Sequence, residues 1–437
     1  MKPTLRPYQD SAARHAWHDL ASGRSPLIEA ATGTGKSTTL SQVAAWLVQS
    51  DPRHKILVLA PRREIIAQLT RTLGKFGLSV THDLRKYERA SVVVCSPASC
   101  RARMRDVPPN TFSLVIADEA HHAPAPGWFR TIQYFRSGGA KLLGMTATPD
   151  RADGVSLGLL FDSVTHRYDI ALAVAEGYLV PANGVRVMVE GLDLRTIRTK
   201  EYKNQFGNMV RDLHQGDLGR VMMNPAVVEG ITGPLVELSK GRKTVVFAVN
   251  RDHAAALRTS LLARGVGASL VDGSMKKDDR DTVLLSYEHG MIQYLVNVML
   301  LTEGWDSPET SCVAMCRPTE SRTLYTQMSG RCLRLFPDKT DGLILDFTGD
   351  SDQLDLAGPE NCLGDALLAP VKVIDMRKKL GVALQKEESK SNPPPPVPAR
   401  VRSYAVPAPY VPPATGWVKF TTRVVQLIRG AKRWLNS

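Results

Sequence analysis

The fold of this chain is decided by residues 27–37, which read Leu27-Ile28-Glu29-Ala30-Ala31-Thr32-Gly33-Thr34-Gly35-Lys36-Ser37. A short apolar run leads into a glycine-bearing turn and then into residues of helical composition, so the pattern predicts a strand, a loop and a helix. This is the setting of a phosphate-binding loop, in which glycines let backbone N–H groups converge on phosphate oxygens. Ala30 stands where the usual pattern has its first glycine.

Polar residues at the end of this loop and after a later strand have complementary chemistry. Lys36 is expected to reach the β and γ phosphates of ATP, and Ser37 is expected to bind Mg²⁺. Residues 114–117 predict a buried strand, and Asp118 and Glu119 follow it directly. Because the carboxyl ends of parallel strands form the ligand-binding edge of a sheet, we assign Asp118 to Mg²⁺ and Glu119 to the attacking water.

The first part of the chain alternates apolar β-branched runs with stretches of helical composition such as 38–48 and 63–76. The predicted strands are residues 27–29, 56–60, 91–95, 114–117 and 142–146. This alternation predicts a parallel sheet that is covered on both faces. We therefore expect a first α/β domain over residues 1–185.

A second series of the same kind follows a polar, glycine-containing stretch. Its predicted strands are residues 244–248, 269–271, 294–297, 312–315 and 343–345, and its predicted helices are residues 251–263 and 277–289. The fold class is therefore α/β, with two tandem domains built on parallel sheets. We expect a helical or irregular connection over 186–240 and the second domain over 241–370.

The end of the chain has a different composition. Nine prolines lie between Ser391 and Pro413, which predicts an extended, basic, proline-rich linker over residues 371–416. Residues 417–437 regain a helical period with one apolar stripe and one basic face, so they predict a basic amphipathic helix. Three interpretations stay open: a solvated tail, a tethered second contact for DNA or a partner protein, and a helix at a membrane surface.

Composition excludes several classes of protein. The 437 residues include 56 Lys and Arg against 43 Asp and Glu, a formal charge of +13 that favours a polyanionic partner. Six cysteines without a CxxC pair in so long a chain predict reduced thiols, and the Cys312 and Cys316 pair is interpreted as two small buried residues. No apolar run reaches the roughly 18 residues of a membrane span, and the first residues lack a signal-peptide core. We expect a soluble cytoplasmic protein and no membrane partner.

Nine motifs, in their order along the chain, resemble those of superfamily-two helicases and translocases of DEAH-box type. Most similar is the bacterial and phage group related to the double-strand DNA translocase of the transcription and repair factor TFIIH. Besides the phosphate-binding loop and Asp118-Glu119-Ala120-His121, the motifs are Leu5-Arg6-Pro7-Tyr8-Gln9, Ala60-Pro61-Arg62-Arg63, Ser96, Met145-Thr146-Ala147-Thr148-Pro149, Val246-Phe247-Ala248, Leu301-Thr302-Glu303-Gly304-Trp305-Asp306 and Gln327-Met328-Ser329-Gly330-Arg331-Cys332-Leu333-Arg334.

The resemblance implies two RecA-like domains and a role for each motif. Gln9 would read the adenine, Arg331 and Arg334 would act as arginine fingers beside the catalytic Lys36 and Glu119, and His121, Thr146 and Thr148 would couple hydrolysis to movement. Contacts to nucleic acid would come from Arg62, Ser96 and Thr302. The implied ATP-binding residues are Arg6, Gln9, Thr32, Gly33, Thr34, Gly35, Lys36, Ser37, Gly304, Asp306 and Gln327.

These residues favour an ATP-driven DNA helicase or translocase that uses ATP and Mg²⁺. Contacts to phosphates carry little base information, so binding should be largely sequence-independent and sensitive to salt. Both domains lie in one chain, so a monomer would suffice for activity. We expect the cell to be bacterial or phage-infected. An RNA helicase and the motor subunit of a nuclease or restriction complex are the alternatives. A nucleic-acid binder without ATPase activity is disfavoured by the intact Lys36, Asp118 and Glu119.

Overall fold

The computed structural model describes residues 3–147, 157–195, 197–203, 209–302, 304–348 and 356–375. All of them lie in Met1–Glu387, one of two compact units of the chain; the other unit, Glu388–Ser437, is outside the described residues. The predicted amphipathic helix at 417–437, most of the predicted linker and Thr148 therefore lie outside the described residues. Two seven-stranded sheets organise the described part, and we call them, with their helices, lobe 1 and lobe 2.

Lobe 1 carries the phosphate-binding loop. Its strands are β1 (Pro26–Ala30), β2 (Ile56–Leu59), β3 (Val80–Thr81), β4 (Val92–Cys95), β5 (Leu114–Asp118), β6 (Lys141–Thr146) and β7 (Ser163–Tyr168). Its helices are α1 (Pro7–Ala21), α2 (Lys36–Ser50), α3 (Arg63–Lys75), α4 (Pro97–Arg101), α5 (Pro126–Arg136) and α6 (Ile170–Ala175). The parallel order β3-β4-β2-β5-β6-β1-β7 sets the carboxyl ends of β5, β6 and β1 side by side.

Lobe 2 repeats this architecture. Its strands are β8 (Ala182–Met188), β9 (Thr199–Lys203), β10 (Met209–Leu213), β11 (Thr244–Phe247), β12 (Ala268–Val271), β13 (Tyr294–Asn297), β14 (Cys312–Met315), β15 (Gly342–Asp346) and β16 (Lys372–Asp375). Its helices are α7 (Gln215–Met222), α8 (Pro225–Leu238), α9 (Arg251–Ala263), α10 (Lys277–Glu288), α11 (Arg322–Ser329) and α12 (Pro359–Leu363). The parallel order is β12-β13-β11-β14-β15-β8-β16, while β9 and β10 form a separate antiparallel hairpin.

The two parallel sheets confirm the predicted pair of α/β domains. Their central strands are buried along their whole length, as in β2, β5, β11 and β14, because helices cover both faces. One apolar cluster contains residues of both lobes, among them Ile28 and Val58 of lobe 1 and Val245 and Met328 of lobe 2. The lobes therefore share buried surface. Among the described helices, none is both long and apolar enough to cross a membrane.

The structure corrects the predicted boundaries of the domains. The first domain was expected to extend to residue 185 and the connection to begin at 186, but both positions lie inside β8, which pairs in parallel with β15 and β16 of lobe 2. The predicted connection also contains α8, which packs into the core of lobe 2. The predicted linker, which begins at 371, contains β16. These strands pair with partners more than 150 residues away, so local composition could not reveal them.

A buried histidine in lobe 2 gives the fold a dependence on pH. His253, on α9, is 0% exposed, and its Nδ1 accepts the backbone N–H of Val249 at 3.3 Å. Burial lowers the pKa of His253 from the ordinary 6.5 to about 4. Between these two values the unfolded chain binds more protons than the folded chain, so stability is complete above the upper value and is lost as the pH falls.

We therefore expect acidification from pH 7.5 to pH 5.0 to lower the free energy of unfolding by about 2 kcal/mol through His253 alone. The measurement is urea unfolding of the wild type and of His253→Gln at both pH values. The glutamine has no imidazole to charge, so its loss of stability on acidification should be smaller by that amount. Equal losses in the two proteins would show that His253 is not the group that titrates.

Candidate functional site

A cleft between the lobes brings together most of the residues that the sequence singled out. Lobe 1 lines it with Arg6, Thr32, Gly33, Gly35, Lys36, Ser37, Ile65, Gln68, Asp118, Glu119 and Tyr178. Lobe 2 lines it with Gly304, Trp305, Asp306, Pro308, Arg331, Arg334 and Leu335. The carboxyl ends of β1 and β5 supply the lobe 1 side, as expected for the ligand-binding edge of a parallel sheet.

The loop between β1 and α2 has the backbone of a phosphate cradle. Gly33 and Gly35 have φ angles of 90° and 82°, which is the left-handed region that glycine adopts without strain. A side chain at Gly35 would also meet Gln9 Nε2 at 2.6 Å, and one at Gly33 would meet Arg334 Cγ at 3.1 Å. The loop is therefore packed closely from both sides, and its amides begin the helix whose N-terminus favours anions.

Polar side chains on the floor of the cleft form one connected group. Lys36 Nζ lies 3.8 Å from Glu119 Oε1 and donates to the carbonyl of Ala30 at 3.3 Å. Glu119 Oε2 lies 3.5 Å from His121 Nδ1, which is 3.1 Å from the hydroxyl of Thr146. The predicted coupling pair His121 and Thr146 is thus in direct contact at the ends of β5 and β6. Their role in coupling stays a prediction.

The backbone at Glu119 fixes where its carboxylate points. Glu119 has φ 53° and ψ 55°, a left-handed conformation that costs a residue with a side chain about 1–3 kcal/mol. It lies between Asp118 at the end of β5 and a short helical turn that begins at Ala120. Without this turn the chain would continue as a strand and place Asp118 and Glu119 on opposite faces of the sheet, whereas here both line the cleft.

The oxygen atoms in the cleft fit a magnesium ion. Ser37 lies in the first turn of α2, and Asp118, which is 4% exposed, ends β5 on the same side of the cleft. Mg²⁺ prefers oxygen ligands and is usually held by one or two protein side chains together with substrate phosphates. In the described ranges, no three His, Cys, Asp or Glu side chains form a group that could hold a metal ion on its own. An ion shared with ATP is the arrangement that this set can support.

The two arginines that follow α11, Arg331 and Arg334, line the cleft but differ in their contacts. Arg334 lies over Gly33 and is bonded to the carboxylate of Asp306, with its Nη1 3.4 Å from the carbonyl of Trp305. Burial lowers the pKa of Arg334, and the carboxylate of Asp306 opposes this shift. Arg331 is 4% exposed and donates to the carbonyls of Thr302 and Trp305. Arg334 thus faces the phosphate-binding loop, while Arg331 holds the loop that follows β13.

The connection between the lobes fixes the place of Arg334. Leu179 forms an antiparallel backbone bridge with Arg334, and the backbone N–H of Val180 donates to the carbonyl of Leu333 at 2.9 Å. Tyr178, one residue earlier, lines the cleft. The segment that leaves lobe 1 therefore pairs with the end of the arginine motif and sets Arg334 beside the phosphate-binding loop.

Three residues of the predicted ATP-binding set are buried and are absent from the cleft lining: Gln9, Thr34 and Gln327. Gln9 accepts the backbone N–H of Arg6 at 3.0 Å and donates to the carbonyl of Thr34 at 2.9 Å, so its amide stabilises the phosphate-binding loop. In this arrangement it does not present its amide to a base. The role of Gln9 in reading adenine remains a prediction.

Tyr178 is one of the cleft residues that sequence reasoning missed. Its ring lies 4.9 Å from the guanidinium carbon of Arg6 and 4.9 Å from the ring of Tyr8, and Tyr8 stacks on Tyr168 at 3.9 Å. Tyr8 also donates its hydroxyl to the carbonyl of Thr34 at 2.5 Å. Of these groups, Arg6 and Tyr178 line the cleft. A tyrosine that follows a glycine in a connection carries no local signal of such a position.

The residues predicted to contact nucleic acid lie in different surroundings. Ser96 accepts the backbone N–H of Ser99 at 3.2 Å and caps α4. Arg62 and Thr302 contact each other across the boundary between the lobes, with Arg62 Nη2 3.3 Å from Thr302 Oγ1, and Thr302 is only 1% exposed. The structure therefore brings Arg62 and Thr302 into contact where the lobes meet, while Ser96 follows Cys95 of β4, which pairs with Leu59 of β2, three residues before Arg62. Their contacts to nucleic acid stay predictions.

The chain matches two protein families, one in each lobe. The family described as type III restriction enzyme, res subunit, matches residues 2–151, and the family described as helicase conserved C-terminal domain matches residues 227–336. The chain is 28% identical over 365 residues to a Saccharomyces cerevisiae protein provisionally named ATP-dependent helicase IRC3. The matched region covers 80% of the chain and 52% of the yeast protein. It is 26% identical over 368 residues to the DNA 3'-5' translocase XPB2 of Sulfurisphaera tokodaii, covering 76% of the chain and 79% of that protein.

Among solved structures, the chain is similar to a fragment of a provisionally assigned HsdR subunit of a type I restriction enzyme from Vibrio vulnificus. The TM-score is 0.65 with 23% identity, covering 86% of the chain and 70% of that structure. This likeness shows that the fold is shared. The chain spans about half the length of the yeast relative, 52%.

Proposed function

We propose that this chain, which carries the paired lobes of a superfamily-two helicase, is an ATP-dependent translocase or helicase that moves along DNA. The observation that carries the proposal is the composition of the cleft: lobe 1 supplies the phosphate-binding loop, and lobe 2 supplies Arg334 directly over Gly33. Groups divided in this way surround ATP only while the lobes are together. Binding, hydrolysis and release are therefore tied to closing and opening of the cleft.

Each polar side chain of the cleft has a defined task in this proposal. Lys36 turns from Glu119 and Ala30 towards the phosphates, Glu119 orients the water and accepts its proton, and Arg334 stabilises negative charge on the γ-phosphate as it develops. Mg²⁺, bound by Ser37, Asp118 and the phosphates, would supply charge neutralisation. Because phosphoryl transfer needs little covalent chemistry from a protein, positioning of these charges accounts for catalysis.

Movement requires that both lobes hold one polymer while the cleft opens and closes. The formal charge of +13, of which +10 lies in residues 371–437, favours a polyanion, and within lobe 1 Ser96 is followed by exposed arginines at positions 101 and 105. Contacts of this kind to phosphates would give binding that is nearly independent of sequence and weakens steeply with salt. We also propose that the protein groups with DEAH-type enzymes related to the TFIIH translocase, on the motifs of its sequence, and the match to a DNA 3'-5' translocase supports movement on DNA.

A second candidate is the motor subunit of a restriction or nuclease complex. The match of residues 2–151 to the res subunit family favours it. In both candidates the chain uses ATP to move on DNA, and they differ in whether a partner cleaves the DNA. One chain carries both halves of the cleft, so a monomer is sufficient for ATP turnover in either case. Cytoplasmic location and a protein partner for residues 417–437 stay predictions.

The proposal predicts which polymer stimulates the ATPase. We expect duplex DNA to raise kcat by at least about tenfold over the basal rate, because the polymer favours the closed arrangement of the lobes. Single-stranded DNA and RNA of equal length are measured side by side, and Lys36→Ala is the control for contaminating ATPase. Stimulation by RNA alone would replace this proposal with an RNA helicase.

A further inference from the structure

Arg62 joins the lobes through a dense set of hydrogen bonds. It lies between β2 and α3 in lobe 1, and its guanidinium crosses to the loop after β13 in lobe 2. Nη1 donates to the carbonyls of Met299 at 3.2 Å and Leu300 at 3.0 Å, while Nη2 donates to the carbonyl of Met299 at 3.2 Å and lies 3.3 Å from Thr302 Oγ1. A single side chain of lobe 1 thus contacts three residues of one turn in lobe 2.

The turn that Arg62 holds is strained. Met299 has φ 54°, in the left-handed region, which costs a residue with a side chain about 1–3 kcal/mol. Such a conformation persists only where neighbouring contacts hold it, and the guanidinium of Arg62 contacts the Met299 carbonyl with both of its Nη atoms. Thr302 Oγ1 donates to the same carbonyl at 3.0 Å. The strained turn is therefore held by contacts from both lobes.

The same turn also accepts a hydrogen bond from Arg331. The hydroxyl of Thr302 faces Arg62, and the carbonyl of Thr302 accepts from Arg331, which also donates to the carbonyl of Trp305. One residue therefore connects the contact between the lobes with an arginine of the ATP cleft. On the lobe 2 side, Leu301 is held by its backbone N–H, which donates to Asn297 Oδ1 at 3.2 Å.

Neighbouring contacts keep this loop against lobe 1. A side chain at Gly304 would lie 2.8 Å from Ile65 Cγ1, so the loop packs directly on the first turn of α3. Arg280 of α10 forms an ion pair with Glu64 at 3.4 Å across the same seam. When the lobes separate, the hydrogen bonds of Arg62 must break together, because their donors and acceptors lie on different lobes.

We propose that Arg62 is a positioning residue that holds the turn 299–302 in its strained form while the lobes are together and thereby fixes Arg331 in the cleft. Opening of the lobes removes the guanidinium, the turn relaxes, and Arg331 loses its place. Closing or opening of the two lobes is in this way transmitted to the ATP site. The role in turnover rests on the ATPase function proposed above, whereas the effect on the turn does not depend on it.

The alternative role, a plain contact to a DNA phosphate, makes different predictions for the same variants. Arg62→Ala, Arg62→Lys and the control Arg71→Ala, which removes an exposed arginine of α3, are compared in three measurements. These are hydrogen exchange of the backbone amides of residues 299–305 without nucleotide, basal ATPase without polymer, and DNA affinity as a function of salt. Lysine retains the charge but cannot form the forked contacts of arginine.

We expect Arg62→Ala and Arg62→Lys both to speed exchange in residues 299–305 and to lower basal kcat by about 10- to 100-fold, since a misplacement of about 1 Å can cost 10²-fold. Arg71→Ala should change neither. The effect of Arg331→Ala on kcat should be smaller in the Arg62→Ala background, because both changes remove the same support. The dependence of DNA affinity on salt should keep its slope.

The proposal is overturned if Arg62→Ala leaves exchange and basal kcat unchanged and lowers the salt slope by about one, as loss of one phosphate contact would. It is also overturned if Arg62→Lys restores both measurements, because a point charge would then be sufficient. Absence of stimulation by every polymer would refute the DNA motor, and the exchange measurement would still decide the role of Arg62.

Discussion

Replacement of Arg334 by alanine is expected to slow ATP hydrolysis by about 10³-fold or more, the magnitude that arginine fingers reach in phosphoryl transfer. The reason is the position of Arg334 over Gly33 of the phosphate-binding loop, with its Cγ 3.1 Å and its Nε 3.3 Å from the place that a Cβ at Gly33 would take. ATP affinity should change only a few-fold, since the charge on which Arg334 acts develops mainly in the transition state. Single-turnover hydrolysis and equilibrium binding of ATP separate the two quantities.

Controls for this prediction come from the same lobe. Arg258→Ala removes an exposed arginine from α9 and should leave kcat unchanged. Arg334→Lys should recover little of the loss, because lysine supplies a compact charge on a shorter reach than the planar guanidinium. Near-normal hydrolysis in Arg334→Ala would show that Arg331 alone supplies the charge from lobe 2.

Much of the site could be predicted because its signals are local. The phosphate-binding loop and the Asp118-Glu119 pair each follow an apolar run, and the structure places both at one edge of the lobe 1 sheet. Strands β13 and β14 have the predicted bounds, since each is a short apolar run between turn residues. Patterns of this kind depend only on residues that are neighbours in sequence, so the sequence alone is sufficient to predict them.

The features that escaped prediction depend on residues far apart in sequence. β7 reads Ser-Val-Thr-His-Arg-Tyr, too polar to stand out as a strand, and it is ordered at the sheet edge by pairing with β1. Arg62 contacts residues more than 230 positions away, so no local pattern separates a contact between lobes from a contact to a phosphate. The two arginines that follow α11 look equivalent in sequence, and it is their different contacts, among them the bridge from Leu179 to Arg334, that distinguish them.

Replacement of Glu119 by glutamine is expected to lower kcat by about 10²- to 10⁴-fold while ATP still binds. Glutamine keeps the shape of the side chain, so the left-handed backbone at position 119 and the packing of the cleft floor need not change. The amide cannot accept a proton from water as a carboxylate does, and this removes the general base. Phosphate release under single-turnover conditions measures the loss.

The contacts of Glu119 also predict the direction of the change in affinity. The carboxylate lies 3.8 Å from Lys36 Nζ, so it competes with the phosphates of ATP for that ammonium group. In Glu119→Gln this competition ends, and ATP should bind as tightly as in the wild type or more tightly. The matched control is Glu88→Gln, an exposed carboxylate of lobe 1, which should change neither quantity. Near-normal turnover in Glu119→Gln would mean that another group activates the water, and His121, 3.5 Å from Glu119, would be the next residue to replace.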